Sequence, residues 1–203
     1  MYIPPQYRNE DPAEIREFLK EHAFGILVSH GPEGPMATHL PLEYRETDSG
    51  KKLLWGHFAR ANPQWKHIAE GEEVLCIFNG PHAYVSSSWY QEEEVPTWNY
   101  MAVHARGPYR IQSQEELWQS LRYLVDKYES ASQNPVSLDA MAPETLRQVR
   151  GIVGFEIEIR SLEAAYKLSQ GREEDHPRIT GELLGRGGNS AAVARAMKRR
   201  PKP

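Results

Sequence analysis

The chain has 203 residues, 39% hydrophobic and 26% charged, which describes a soluble globular protein rather than a disordered or membrane-spanning one. Its formal net charge of −4 gives no general attraction for nucleic acid, so any contact with phosphates needs a local basic patch. One such patch is "MKRRPKP" at 197–203, which reads as a solvated tail.

The start, "MYIPPQYRNED", lacks the basic beginning and apolar run of a secretory signal. No segment reaches the length of a membrane span, so a cytoplasmic location is expected. The lone Cys76, set in "VLCIFNG", has no disulfide partner and reads as a small buried hydrophobe.

In chain order, "EDPAEIREFLKEHAFG" predicts an amphipathic helix with Asp11 as N-cap, Pro12 at its first position and Glu14 closing a capping-box-like pattern. Its apolar face is Ile15, Phe18 and Leu19. "FGILVSH" then reads as a buried strand and "GPEGP" as a turn. "MATHLPLEY" alternates as a second strand, bulged or at an edge at Pro41, whose nitrogen cannot donate to a ladder. "LLWGHF" is a third.

In "WGHFARANPQW", Asn62 and Pro63 predict the start of a helix that lasts until Gly71. "EVLCIFNGPHAYVSSSWY" predicts a hairpin over 74–85 around the turn "NGPH". In "TWNYMAVHARGPYRI", Gly107 and Pro108 mark a bulge or break in a further strand. "SQEELWQSLRYLVDKYES" opens with Ser113 and Glu116 in the capping-box relation and carries the stripe Leu117, Leu121, Leu124, Val125 and Tyr128. A short helix, "APETLRQVRG", leads to the half-buried strand "IVGFEIEIRSL".

About six or seven short strands on hairpin-scale connections predict an antiparallel barrel decorated by helices. The expected organisation is a barrel domain over 1–162, followed by a helical extension and basic tail over 163–203.

Eight histidines are scattered without metal-ligand spacing, so no metal site is expected. "SSSWY" has no nucleophile elbow around it and reads as a strand end, and "GRGGNS" reads as a linker. No catalytic acid, base or nucleophile stands out, and no DNA-reading motif is visible.

The turn after "WGHF" is a better candidate. A helix starting near Pro63 leaves the amides of Gln64, Trp65 and Lys66 free, and Arg60 can fork two hydrogen bonds onto a phosphate. A plain helix cap explains the same residues, and both readings stay open on the turn alone.

"MATHLPLEY", "GHFARANPQW", "FNGPHAYVSSSWY", "VPTWNYMAVHARG" and "YKLSQ", in this order and spacing, resemble the PaiB-type FMN-binding proteins, a family of negative transcriptional regulators. The resemblance runs from the N-terminus to about Arg172. It implies a six-stranded antiparallel split barrel, mainly β with peripheral helices, forming a homodimer that holds FMN in the crevice between subunits. It assigns the flavin to Thr38, His39 and Leu40 on one strand, to Gly56 and His57 on the next, and to Arg60, Asn62 and Lys66 at the turn. Trp98, Asn99 and Tyr100 would reach it from the partner subunit, with Lys167 and Gln170 of "KLSQGR" nearby. Gly171 stands where the family carries a side-chain amide.

The resemblance implies an FMN-binding negative regulator, with DNA as a partner despite the missing motif. The alternatives are a flavin-dependent oxidoreductase of unknown substrate and a split barrel that has lost its flavin. Enzymatic activity stays open.

Overall fold

The structure, a computed structural model, describes residues 1–199, so part of the basic tail, residues 200–203, lies outside the described residues. Along the chain run β1 (Arg8–Asn9), α1 (Pro12–Glu21), β2 (Phe24–Gly31), β3 (Gly34–Pro41), β4 (Glu43–Glu46), β5 (Lys52–Ala59), α2 (Gln64–His67) and β6 (Glu73–Val85). These are followed by β7 (Thr97–Ile111), α3 (Gln114–Glu129), α4 (Pro143–Leu146), β8 (Ile152–Glu158), β9 (Ser161–Lys167), α5 (His176–Arg186) and α6 (Gly188–Arg199).

The mainly antiparallel class is as expected, but the described residues form nine strands rather than six. Their hydrogen-bonded order, β3-β2-β6-β7-β8-β5-β4, has two ends, so the ladder is open; β9 joins β7, and β1 joins β9. The chain divides into two compact units: Leu19–Ile77 with Ala105–Leu162, and Met1–Phe18 with Phe78–His104 and the chain from Glu163 onward.

In the first unit, β2 pairs with β3 from Phe24↔Pro41 to Gly31↔Gly34, and β3 has no second partner, so Pro41 ends an edge strand. β5 pairs with β8 over seven positions that include His57↔Gly154. Phe58, Tyr109 and Phe155 form its aromatic core, with ring centroids 5.0 Å apart for Phe58–Phe155 and 5.5 Å for Tyr109–Phe155. On α3, Leu117 and Leu121 pack with Leu138 against Trp118, Val149 and Ile152. The capping box forms as expected: Ser113 N donates to Glu116 Oε2 at 2.7 Å, and Glu116 N to Ser113 Oγ at 3.2 Å.

In the second unit, Ile15 and Phe18 of α1 are buried, and Phe18 packs on Tyr166 at 5.5 Å. Asp11 caps α1 by accepting from Ala13 N, at 2.8 Å. Glu14 does not close a box onto Asp11; it accepts from Asn9 Nδ2 at 2.7 Å, while Asn9 Oδ1 takes the Asp11 amide. Ile179 and Leu183 of α5 and Val193 and Ala194 of α6 are fully buried. Gly187 and Gly188, with φ of 70° and 49°, turn the chain between these helices, so "GRGGNS" is a helix stop and start.

Three local expectations are corrected. The stretch 74–85 is one continuous strand, not a hairpin, because neither Asn79 nor Gly80 takes the positive φ that a tight hairpin turn requires. Gly80 serves a close approach instead: a Cβ there would fall 2.5 Å from Phe18 Cε2. β7 likewise runs unbroken through Gly107, where a Cβ would fall 1.9 Å from the Glu158 carbonyl oxygen. The helix expected up to Gly71 is the single turn α2, since Ile68 already has extended dihedrals. The strand read as "IVGFEIEIRSL" divides into β8 and β9, and β9 continues into "EAAYK".

Candidate functional site

The turn between β5 and α2 bonds in two directions. On one side, Asn62 Nδ2 donates to Thr38 Oγ1 at 2.9 Å, and Thr38 donates to Gln64 Oε1 at 2.5 Å. Gln64 is 1% exposed, and its Nε2 reaches Ser29 Oγ at 3.0 Å, the Met36 carbonyl at 3.2 Å and the Leu27 carbonyl at 3.3 Å. Asn62 Oδ1 also accepts the Gln64 amide at 2.9 Å, and Lys66 N donates to the Pro63 carbonyl at 3.0 Å. Two of the three amides expected to face an anion are therefore occupied within the turn itself. Gln64, unread in the sequence, is the hub that ties β2, β3 and the turn together.

On the other side stands Arg60. Its Nε donates to the Arg150 carbonyl at 2.7 Å and its Nη2 to the Ile152 carbonyl at 2.9 Å, while its own carbonyl accepts from Trp65 Nε1 at 3.0 Å. It lines a cleft of about 830 Å³ with Trp65, Gln112, Trp118, Arg147, Arg150 and Gly154 among its walls, and no Asp or Glu lines it. Arg147 meets Glu144 at 3.4 Å with both side chains exposed, a pairing worth little in water.

Gln112 is 8% exposed; its amide N donates to the Gly154 carbonyl, and its Oε1 accepts from Ser120 Oγ at 3.0 Å. Its Nε2 is buried with no partner. Ser120 Oγ can serve either end of that amide, so one end stays unpaired whichever way the amide is set. Gly154 leaves room for this side chain, since a Cβ there would fall 2.5 Å from Gln112 Oε1.

The remaining sequence-predicted residues of this unit occupy other environments. Leu40 is buried, and His39 is exposed beside Phe24, ring centroids 6.4 Å apart. Gly56 is a packing glycine, whose Cβ would meet Phe155 Cζ at 2.6 Å and the Pro41 carbonyl at 3.0 Å. His57 is half-buried, and burial pulls its imidazole below its usual pKa, which keeps it neutral at neutral pH. Lys66 Nζ lies 5.6 Å from the centroid of the Trp65 ring.

In the other unit, Trp98 is 53% exposed and forms an aromatic group with His82 at 5.5 Å and Tyr84 at 6.2 Å. Asn99 is fully buried and donates to Ser169 Oγ at 2.8 Å, while Tyr100 is half-buried. Lys167 Nζ donates to Thr97 Oγ1 at 2.5 Å. Gln170 folds back on its own loop: Oε1 accepts from Leu168 N at 2.7 Å, and Nε2 donates to the Tyr166 carbonyl at 2.6 Å. Gly171 has φ 80°, a left-handed conformation that glycine and asparagine both tolerate. A change between those residue types preserves the backbone of the loop.

An open, mainly antiparallel barrel with peripheral helices and a basic turn after its fifth strand defines the class as the flavin-binding split barrel. Residues 1–161 match the family described as "Putative FMN-binding domain", and the chain belongs to that family. Over 175 residues it is 45% identical to "Protease synthase and sporulation protein PAI 2" of Bacillus subtilis (strain 168), covering 86% of this chain and 84% of that protein. It is 29% identical to the "Uncharacterized protein AN0679" of Emericella nidulans, covering 84% of each.

Among solved structures, the flavocytochrome Anf3 from Azotobacter vinelandii superposes with a TM-score of 0.63 at 15% identity, covering 84% of this chain and 75% of that one. The FAD and heme binding protein from Mycobacterium smegmatis gives 0.60 at 12%, covering 90% and 80%. These two similarities concern the fold alone.

Proposed function

We propose that the protein is an FMN-binding regulator that acts as a cytoplasmic homodimer, with the flavin carried by β3, β5 and the turn between β5 and α2. The observation that carries this reading is Arg60, a guanidinium fixed at the end of β5 beside a basic cleft with no carboxylate lining. This donor set fits FMN: fixed cations suit a phosphate, and tryptophan faces suit a ring. Thr38, His39, Leu40, Gly56, His57, Asn62 and Lys66 form the rest of the set in this unit. Trp98, Asn99, Tyr100, Lys167 and Gln170 form the set that a partner subunit offers.

FMN, when bound, supplies a ring that accepts one or two electrons. This chain's residues hold and orient it. Arg60 Nε and Nη2 are anchored to carbonyls, so the guanidinium is pre-positioned and loses little freedom on meeting an anion. The Thr38–Asn62–Gln64 network fixes the turn that carries it. Neutral His57 adds no competing charge.

The test is a titration of FMN into the purified protein, followed by flavin fluorescence. Saturation in the micromolar range is expected, and absence of binding there sinks the reading.

The regulatory half of the proposal rests on the 45% identity to the Bacillus subtilis sporulation protein. It predicts that DNA retention at physiological salt depends on sequence. Retention that is indifferent to sequence and vanishes as salt rises would remove DNA-directed regulation.

A further inference from the structure

We infer that the phosphate of FMN is held on the β8 side of the turn, in the cleft walled by α3 and α4, by Arg147 and Arg150 together with Arg60, and that Gln112 donates to the same ligand. This inference rests on the FMN reading above and adds four residues, Gln112, Trp118, Arg147 and Arg150, that the sequence motifs do not mark.

Two faces of the turn compete for the anion, and hydrogen-bond satisfaction decides between them. On the β3 face, Asn62, Thr38 and Gln64 bond to one another, and the amides of Gln64 and Lys66 are used within the turn. An anion there must break bonds that already exist. Moreover α2 is a single turn, too short for an appreciable dipole.

On the β8 face, two of the Arg60 nitrogens are held by carbonyls, which leaves Nη1 for a ligand. Arg150 stands next to it, its own carbonyl tied to Arg60, and Arg147 lies three residues earlier on the same helical segment. The cleft holds three guanidiniums against no carboxylate. Like charges gathered in this way repel until an anion joins them.

Gln112 supplies a second and independent pointer to a ligand. A buried amide end without a partner costs free energy, and this one belongs to a residue lining the cleft. A ligand oxygen satisfies it. Trp118 and Trp65, both half-buried in the same lining, offer flat apolar surface to a ring.

The experiment titrates FMN and riboflavin into the full-length wild type and into R147A/R150A, followed by flavin fluorescence, with thermal melting as the check on folding. Arg147 and Arg150 are exposed, so the variant is expected to melt as the wild type does. FMN affinity is expected to fall about tenfold for each arginine removed, with riboflavin unchanged to within about twofold. R147K/R150K keeps the charge, loses the fork, and is expected to recover part of the loss. W118F is expected to reduce the quenching of protein fluorescence by FMN.

If R147A/R150A binds FMN as the wild type does while N62A weakens it, the phosphate lies on the β3 face and the inference is overturned with FMN binding intact. If the wild type binds no FMN, the FMN reading falls and this inference with it.

Discussion

Arg60 and Asn62, two positions apart on one turn, bond in opposite directions. Asn62 Nδ2 reaches back to Thr38 on β3 at 2.9 Å, whereas Arg60 Nε reaches the Arg150 carbonyl beside β8 at 2.7 Å. One side chain fixes the turn to an edge strand, and the other sets a cation over a basic cleft. The turn is therefore both a structural clasp and the candidate anion site, with the two tasks on different residues.

Gln64 is the clasp's hub, and its loss is expected to be felt throughout the unit. Gln64→Leu would strand the partners that its amide serves, among them Ser29 Oγ and the Met36 carbonyl, at a cost of about 2–3 kcal/mol. Urea unfolding measures it; a change below about 0.5 kcal/mol would show that the network adds little.

Gly107 is required by the closeness of its neighbouring backbone. Gly107→Ala places a methyl 1.9 Å from the Glu158 carbonyl oxygen, a backbone atom that cannot step aside as a side chain can. A loss of about 2 kcal/mol or more is expected. A melting temperature equal to wild type would contradict that approach.

Glu43 is a nearly buried carboxylate held by Lys127 Nζ at 2.6 Å and Tyr128 OH at 2.8 Å. Lys127→Met leaves that charge unpaired, at an expected cost of about 3 kcal/mol. Adding Glu43→Gln should recover much of the loss. Double-mutant additivity would mean the two groups do not interact.

Glu116 links the N-terminus of α3 to Arg110, whose hydrogen bond, ahead of that from the Ser113 amide, holds the carboxyl at about 2. Its folded pKa is depressed, so the stabilisation is present above the ordinary carboxylate value near 4.5 and is lost as pH falls through about 2. The side chain is 37% exposed, and solvent screening reduces the gain to under about 1 kcal/mol. The stability gap between wild type and Glu116→Gln should narrow between pH 5 and pH 2, by about that amount. A gap constant across that range would remove Glu116 as the titrating group.

Local chemistry was readable in the sequence where it acts over a few residues. Ser113 and Glu116 form their box because both partners sit within one turn of helix, and Asn62 caps through its own neighbourhood. Reading failed where a glycine serves a distant partner. Gly80 and Gly107 resemble turn punctuation, yet each makes room for atoms far away in sequence, Phe18 and the Glu158 carbonyl.

The candidate site divides the same way. Arg60 was legible from the motif around it. Gln64 looked like an ordinary helix-surface residue, and Arg147 and Arg150 like solvated charges in a polar segment. Their places depend on the pairing of β5 with β8 and on the packing of α3, neither of which a short sequence pattern expresses.

The central claim is that a cation on this turn holds the phosphate of FMN. Its most direct test compares FMN with riboflavin, which lacks the phosphate, in the wild type and in Arg60→Ala. The account predicts micromolar FMN binding, tighter than riboflavin, with a gap that narrows about tenfold or more in the variant. Equal losses for both ligands, or no wild-type preference for FMN, would contradict it.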